Sequence, residues 1–161
     1  MILQYFKKKE NEYKIKSDLI YLNILKKSKS LLNKKYFNEI DFGTSFELIS
    51  ILLIYNLKFF KNKDITSKKR VKEELMKNLV NDLDKSLRDV GISDMSIGKY
   101  VKKYVKKFYF RLKILDPIFE NDNNDELLNY LKSLEFVNKS NSNDLVNQLY
   151  EFFLQIKNNN E

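Results

Sequence analysis

An all-α fold is what this sequence predicts, and three observations carry the prediction. Three glycines and one proline in 161 residues leave little material for hairpins or phosphate-binding loops. Long leucine- and lysine-rich stretches space their apolar residues three and four apart, the spacing of one helix face. Hydrophobic residues make up 43% of the chain and aromatic residues 14%, enough for a core at this one-domain length without disulfides or metals. The expectation is a single helical domain over residues 1–161, with about six helices around a central apolar helix.

The elements follow in order. Ser17 to Leu32 has a helical pattern, with Leu19, Ile20, Leu22, Ile24, Leu25, Leu31 and Leu32 at the apolar positions. Asn33 to Asp41 reads as an irregular connector anchored by Tyr36 and Phe37. Gly43 is expected to break the chain, with Thr44 or Ser45 capping a helix that runs to about Phe60. That helix is apolar on nearly every side and should be surrounded by the others. Its longest apolar run, Leu48 to Leu57, is ten residues. A bilayer core takes about 20 residues of helix, so this run is expected to be buried in protein.

Thr66 or Ser67 should cap a long helix from Lys68 to Val90, with Leu75, Leu79, Leu83 and Leu87 on one stripe. Gly91 suits the left-handed position at its end. Ser93 or Asp94 caps the next helix, whose stripe is Ile97, Val101, Tyr104, Val105, Phe108, Leu112 and Leu115, and Pro117 should end it. A short helix is expected from Asp125 to about Val137. After a polar stretch at Lys139 to Asn143, Asp144 should cap a final helix with Leu145, Leu149, Phe152, Phe153 and Ile156 inward. Asn158 to Glu161 should fray.

The composition removes most candidate chemistry. With no cysteine and no histidine, there is no thiol nucleophile, imidazole base or ordinary zinc ligand set. Carboxylates remain, but no pair sits in an apolar setting that would shift its pKa. The sequence therefore points to a protein that is not an enzyme and carries no cofactor. The N-terminus has too short an apolar region for a signal peptide, and Glu10 and Glu12 argue against a transit peptide. The expected location is cytoplasmic, peripheral to the inner membrane.

Between Ile97 and Leu115 the charges are Lys99, Lys102, Lys103, Lys106, Lys107, Arg111 and Lys113, with no acid. These seven lie on about 28 Å of helix and nearly equal the net charge of +8. Such a strip suits an anionic membrane surface, ribosomal or other RNA, or an acidic partner protein, and it is also what a lysine-rich solvated face looks like. Arginine is scarce, with only Arg70, Arg88 and Arg111 among 30 basic residues. Its planar fork does what lysine cannot. Arg88 is four residues after Asp84, the spacing of a helical ion pair.

The segment DLDKSLRDVGISDMSIGKYVKKYVKKFYFRL, Asp82 to Leu112, resembles the ubiquinol–cytochrome c chaperone family. The parts that carry the likeness are Asp82 and Asp84, LRDVG at Leu87 to Gly91, Ser93 with Asp94, GKYVKK at Gly98 to Lys103 and FYFR at Phe108 to Arg111. FNEIDFGTSFELISILLIYNL at Phe37 to Leu57 and DELLNYLKSLEFV at Asp125 to Val137 extend it, so that the region of resemblance is residues 17–137. Two departures stand out. Phe110 replaces a glycine common before the family's arginine, and hydrophobic residues near Leu52 replace a histidine.

The resemblance implies an all-helical, non-enzymatic assembly chaperone for the cytochrome bc1 complex. It further implies cytochrome b or other bc1 assembly components as partners, with a small helical protein, the ribosome and an anionic membrane surface as additional contacts. The competing function is a basic helical module that binds nucleic acid or the ribosome. Arg88, Lys99, Lys102, Lys103, Lys106, Lys107 and Arg111 are the expected partner-binding residues. Asp82, Asp84, Gly91 and Asp94 are expected to be architectural.

Overall fold

In a computed structural model, residues 2–60 and 64–159 are described, and they are all-α. Six α-helices follow in order: α1 (Ile2–Leu31), α2 (Phe42–Phe59), α3 (Ile65–Asp89), α4 (Asp94–Glu120), α5 (Asn124–Ser133) and α6 (Ser142–Asn159). A 3-10 turn, Lys139–Asn141, precedes α6. The chain divides into two compact units. One holds Met1–Asn23 and Lys61–Lys107, the other Ile24–Phe60 and Phe108–Glu161, so α1 and α4 contribute residues to both.

In the first unit, α3 buries Val71, Leu75, Leu79, Leu83 and Leu87, the stripe read from the sequence with one member added. Asp64 caps its start, accepting from the Thr66 and Ser67 N–H groups at 3.2 and 3.0 Å, so those two residues are the donors to the cap and not the cap itself. At its end Gly91 has φ +96°. The Gly91 N–H donates to the Arg88 carbonyl and the Ile92 N–H to the Leu87 carbonyl, at 2.9 and 3.0 Å. This is a Schellman turn, and it needs a residue that tolerates left-handed backbone. The helix then resumes at Asp94, with the Ser93 carbonyl accepting from Ser96 and Ile97 N–H.

Helix α1 is longer than expected and presents a different face. Its buried positions are Ser17, Tyr21, Ile24, Ser28 and Leu31, while Leu19 and Leu22 are exposed. Ser17 Oγ donates to the Lys14 carbonyl at 2.9 Å, and Tyr21 supplies bulk with a polar end. A count of leucines cannot detect that choice of face.

In the second unit, α2 is the buried element. Leu48 and the whole run Ser50 to Asn56 are inaccessible or nearly so. Helix α6 packs against α2 and α5 with Leu145, Leu149, Phe152, Phe153 and Ile156 inward. The rings of Tyr55 and Phe153 stack with centroids 3.7 Å apart, and Phe119 sets its ring edge-on to both. By length and composition alone α2 would suit a membrane span, yet 61% of it is buried inside the protein. Two of its polar side chains bond to its own backbone, Ser50 Oγ donating to the Phe46 carbonyl and Asn56 Nδ2 to that of Leu52.

Three boundaries in this unit differ from the sequence reading. Helix α2 begins at Phe42 because the Asp41 carboxylate accepts the Thr44 N–H at 2.8 Å, which leaves Gly43 inside the first turn. That bond, with one from the Thr44 hydroxyl, holds the Asp41 carboxyl below its usual range. Helix α4 passes through Pro117 to Glu120, since Ile118 and Phe119 bury their side chains and offset the missing N–H. Helix α5 stops at Ser133, and Phe37 and Val137 form an isolated antiparallel bridge in which Asn38 N–H donates to Phe136 and Asn138 N–H to Tyr36. Of the tail expected to fray, Asn158 and Asn159 are helical and the remainder lies outside the described residues.

Leu53 is fully buried. Leu53→Asp should unfold the protein, because an unpaired buried carboxylate costs several kcal/mol against a total stability of about 5–15 kcal/mol. Thermal melting followed by far-UV circular dichroism checks this, and a cooperative melt near that of the wild type would place α2 outside the core.

Candidate functional site

The basic strip exists on the surface of α4. Lys99, Lys102, Lys103, Lys106 and Lys107, all in the first unit, are solvent-exposed. They stay outward because Ile97 is buried and Val101, Tyr104 and Val105 are half-buried on the opposite stripe of the helix. Lys107 leans over the Tyr104 ring, 4.9 Å from its centroid. Beside the strip, an open groove of about 410 Å³ runs between α3 and α4. Val80, Val101 and Val105 give it an apolar floor, Gly98 leaves its wall without a side chain, and Asp84 and Lys102 stand at its rim.

The two arginines of the signature are both paired with carboxylates of this chain, Arg88 at the surface and Arg111 in a half-buried setting. Arg88 Nε donates to Asp84 at 2.7 Å, and its Nη1 donates to Asp94 across the Gly91 corner. These two hydrogen bonds raise the Arg88 pKa above its ordinary value. Asp94 thus receives the arginine that ties the end of α3 to the start of α4. The expectation that its carboxylate accepts the first-turn N–H groups gives way to the Ser93 carbonyl, which holds two of them. Asp82 has a partner that the sequence reading missed. The Tyr21 hydroxyl donates to its Oδ2 at 2.9 Å, and burial, then the Asp82 charge, push the tyrosine pKa well up.

Arg111 belongs to the second unit. Its Nε donates to the Glu47 carboxylate at 2.7 Å, and the Tyr130 hydroxyl donates to the same oxygen. Glu47 is only 7% exposed and Arg111 23%. Burial works against the arginine's charge, but the hydrogen bond and field of Glu47 outweigh it and raise its pKa. Tyr130 is pushed up by burial and by the Glu47 charge. The signal for this network was a lone acid in an apolar helix together with an arginine among aromatics. Phe110 is 57% exposed and its ring lies 5.7 Å from the Arg111 guanidinium carbon, so the side chain that stands in place of a glycine points outward. Leu52, in the region where the family often has a histidine, is fully buried. Among the described residues, no group of three or more acidic side chains is placed to hold a metal ion.

The profile of the ubiquinol-cytochrome C chaperone family matches residues 39–155. The chain belongs to this family. The match extends past Val137, where the sequence reading stopped, into α6, and it begins after α1. The fold is also that of a solved relative, the crystal structure of the Cbp3 homolog from Brucella abortus, with a TM-score of 0.75 at 22% identity. That likeness covers 98% of this chain and 88% of the other. No curated protein matches by sequence. Membership of the ubiquinol–cytochrome c chaperone family supports the role of an assembly chaperone for the bc1 complex.

Two outcomes follow from the contacts around the arginines. Arg111→Met should destabilise the protein by about 3–5 kcal/mol, because it strands a buried carboxylate, and adding Glu47→Leu should recover most of the loss. Denaturant melts of the two single variants and the double variant measure the coupling; equal, additive losses would mean that the pair is not a unit. Gly91→Ala should cost about 1–2 kcal/mol from left-handed backbone alone, since an added Cβ meets nothing within 4 Å. Gly91→Asn should cost less, and a neutral alanine would show that the corner relaxes.

Proposed function

We propose that the protein assists bc1 assembly by binding cytochrome b, and that Lys99, Lys102, Lys103, Lys106 and Lys107 form the docking strip. The observation that carries the reading is five exposed lysines on one helix, bordering an open apolar groove, in a chain of this chaperone family. The chemistry matches a membrane-protein client before it is inserted or assembled. An apolar helix segment can seat in the groove floored by valines, and acidic or lipid-proximal groups at its end meet the lysines. Charge of this kind speeds and orients encounter more than it tightens the final complex. The same charge supports a peripheral position at the inner membrane, because each lysine near an anionic surface contributes about 1 kcal/mol.

Arg88 and Arg111 enter this reading differently from the lysines. Both donate to carboxylates of this chain, Arg88 to Asp84 and Asp94 at the surface and Arg111 to the buried Glu47, so they support the strip by fixing the start and packing of α4. The ribosome and a small helical partner remain further candidates for the same positive surface.

Reversing Lys102, Lys103 and Lys106 to Glu should leave helical content unchanged, remove co-isolation of cytochrome b and lower assembled bc1 complex in cells. Normal bc1 content with intact client binding would reject the strip as the docking surface. Loss of ribosome co-sedimentation with client binding retained would move its role to RNA.

A further inference from the structure

Helix α1 turns three large aliphatic side chains to solvent along one line. Ile15, Leu19 and Leu22 are 53%, 63% and 47% exposed. Steps of four and three residues put them on one ridge, the seam spacing of paired helices. The same alternation reaches Glu12 on one side and Lys26 on the other, both exposed. Read along the ridge, the chemistry is acid, three aliphatics, base. Read backwards, it is the charge complement of itself.

We propose that this ridge pairs with the same ridge of a second copy of the chain, antiparallel, about a two-fold axis at Leu19. Leu19 then meets Leu19 of the second copy, Ile15 meets Leu22, and Glu12 meets Lys26 at each end. A parallel pairing would set Glu12 against Glu12 and Lys26 against Lys26, so the charges choose the orientation. An isologous contact of this kind closes on itself as a dimer. Asp18, beside the ridge, is already bonded to the Asn78 amide at 2.9 Å and is directed to α3. Three aliphatic side chains per copy fall well short of the roughly 800 Å² per partner of a standard interface, so the dimer is weak and depends on concentration.

The chain has no cysteine, which makes crosslinking a clean test. Under mild oxidation, Leu19→Cys should form a disulfide-linked dimer, since an antiparallel seam brings that position to its own copy. Ile15→Cys and Leu22→Cys should each crosslink poorly alone and efficiently when mixed. In sedimentation equilibrium the wild type should associate as concentration rises, Glu12→Lys should weaken association several-fold, and Glu12→Lys with Lys26→Glu should restore it. All five positions are exposed, and far-UV circular dichroism verifies that each variant folds. A monomer through millimolar concentration, Ile15→Cys crosslinking as fast as Leu19→Cys, or no recovery in the double reversal would overturn the pairing.

Discussion

Glu47 is the one acid on the enclosed helix α2, and it is itself buried. A carboxylate in that position is tolerated only where a cation and further donors reach it, since the cost of leaving it bare is a large share of the stability of a domain. Arg111 from α4 and Tyr130 from α5 meet that demand on one oxygen. The requirement fixes which residues of α4 and α5 must face α2, and so sets the register in which these three helices pack in the second unit. Replacement by well-packed apolar groups would be tolerated, but deletion of one partner would not.

The same economy governs the other arginine of the signature. Arginine appears where two carboxylates must be gathered, Asp84 and Asp94 around the Gly91 corner, or where one buried carboxylate must be held. Lys58 also meets two carboxylates, Asp116 and Glu120, but as a point charge without the planar fork. Lysine is left to cover α4, where its flexible stem keeps the charge in water. The division of labour between the two cations therefore separates scaffold from surface within one helix, and it is the surface that is free to meet a partner.

Much of this was legible from residue order. The stripe Leu75, Leu79, Leu83, Leu87 was buried as its spacing implied, Gly91 took positive φ, and Asp84 paired with Arg88 four residues on. The lysine strip was legible as well, because no acid interrupts it. The local rules misread the ends of helices and one helix face. Asp41 took the capping role from Thr44, Pro117 sat inside α4, and α1 buried Ser17, Tyr21 and Ser28 in preference to Leu19 and Leu22. The Asp41 cap is a local competition that residue type alone left open, whereas the course of α4 past Pro117 and the face of α1 were settled by packing.

By itself the sequence determined the all-α class, the main helices and the family, because periodicity, turn residues and a long signature are properties of consecutive residues. It also determined that one helix carries an unbroken run of positive charge. The tertiary structure alone decided which polar groups are spent inside. Glu47 with Arg111 and Tyr130, and Tyr21 with Asp82, are separated by 64, 83 and 61 residues, and no local pattern links them. A charge is structural or available according to whether another group has been folded onto it, and that is a fact of three dimensions.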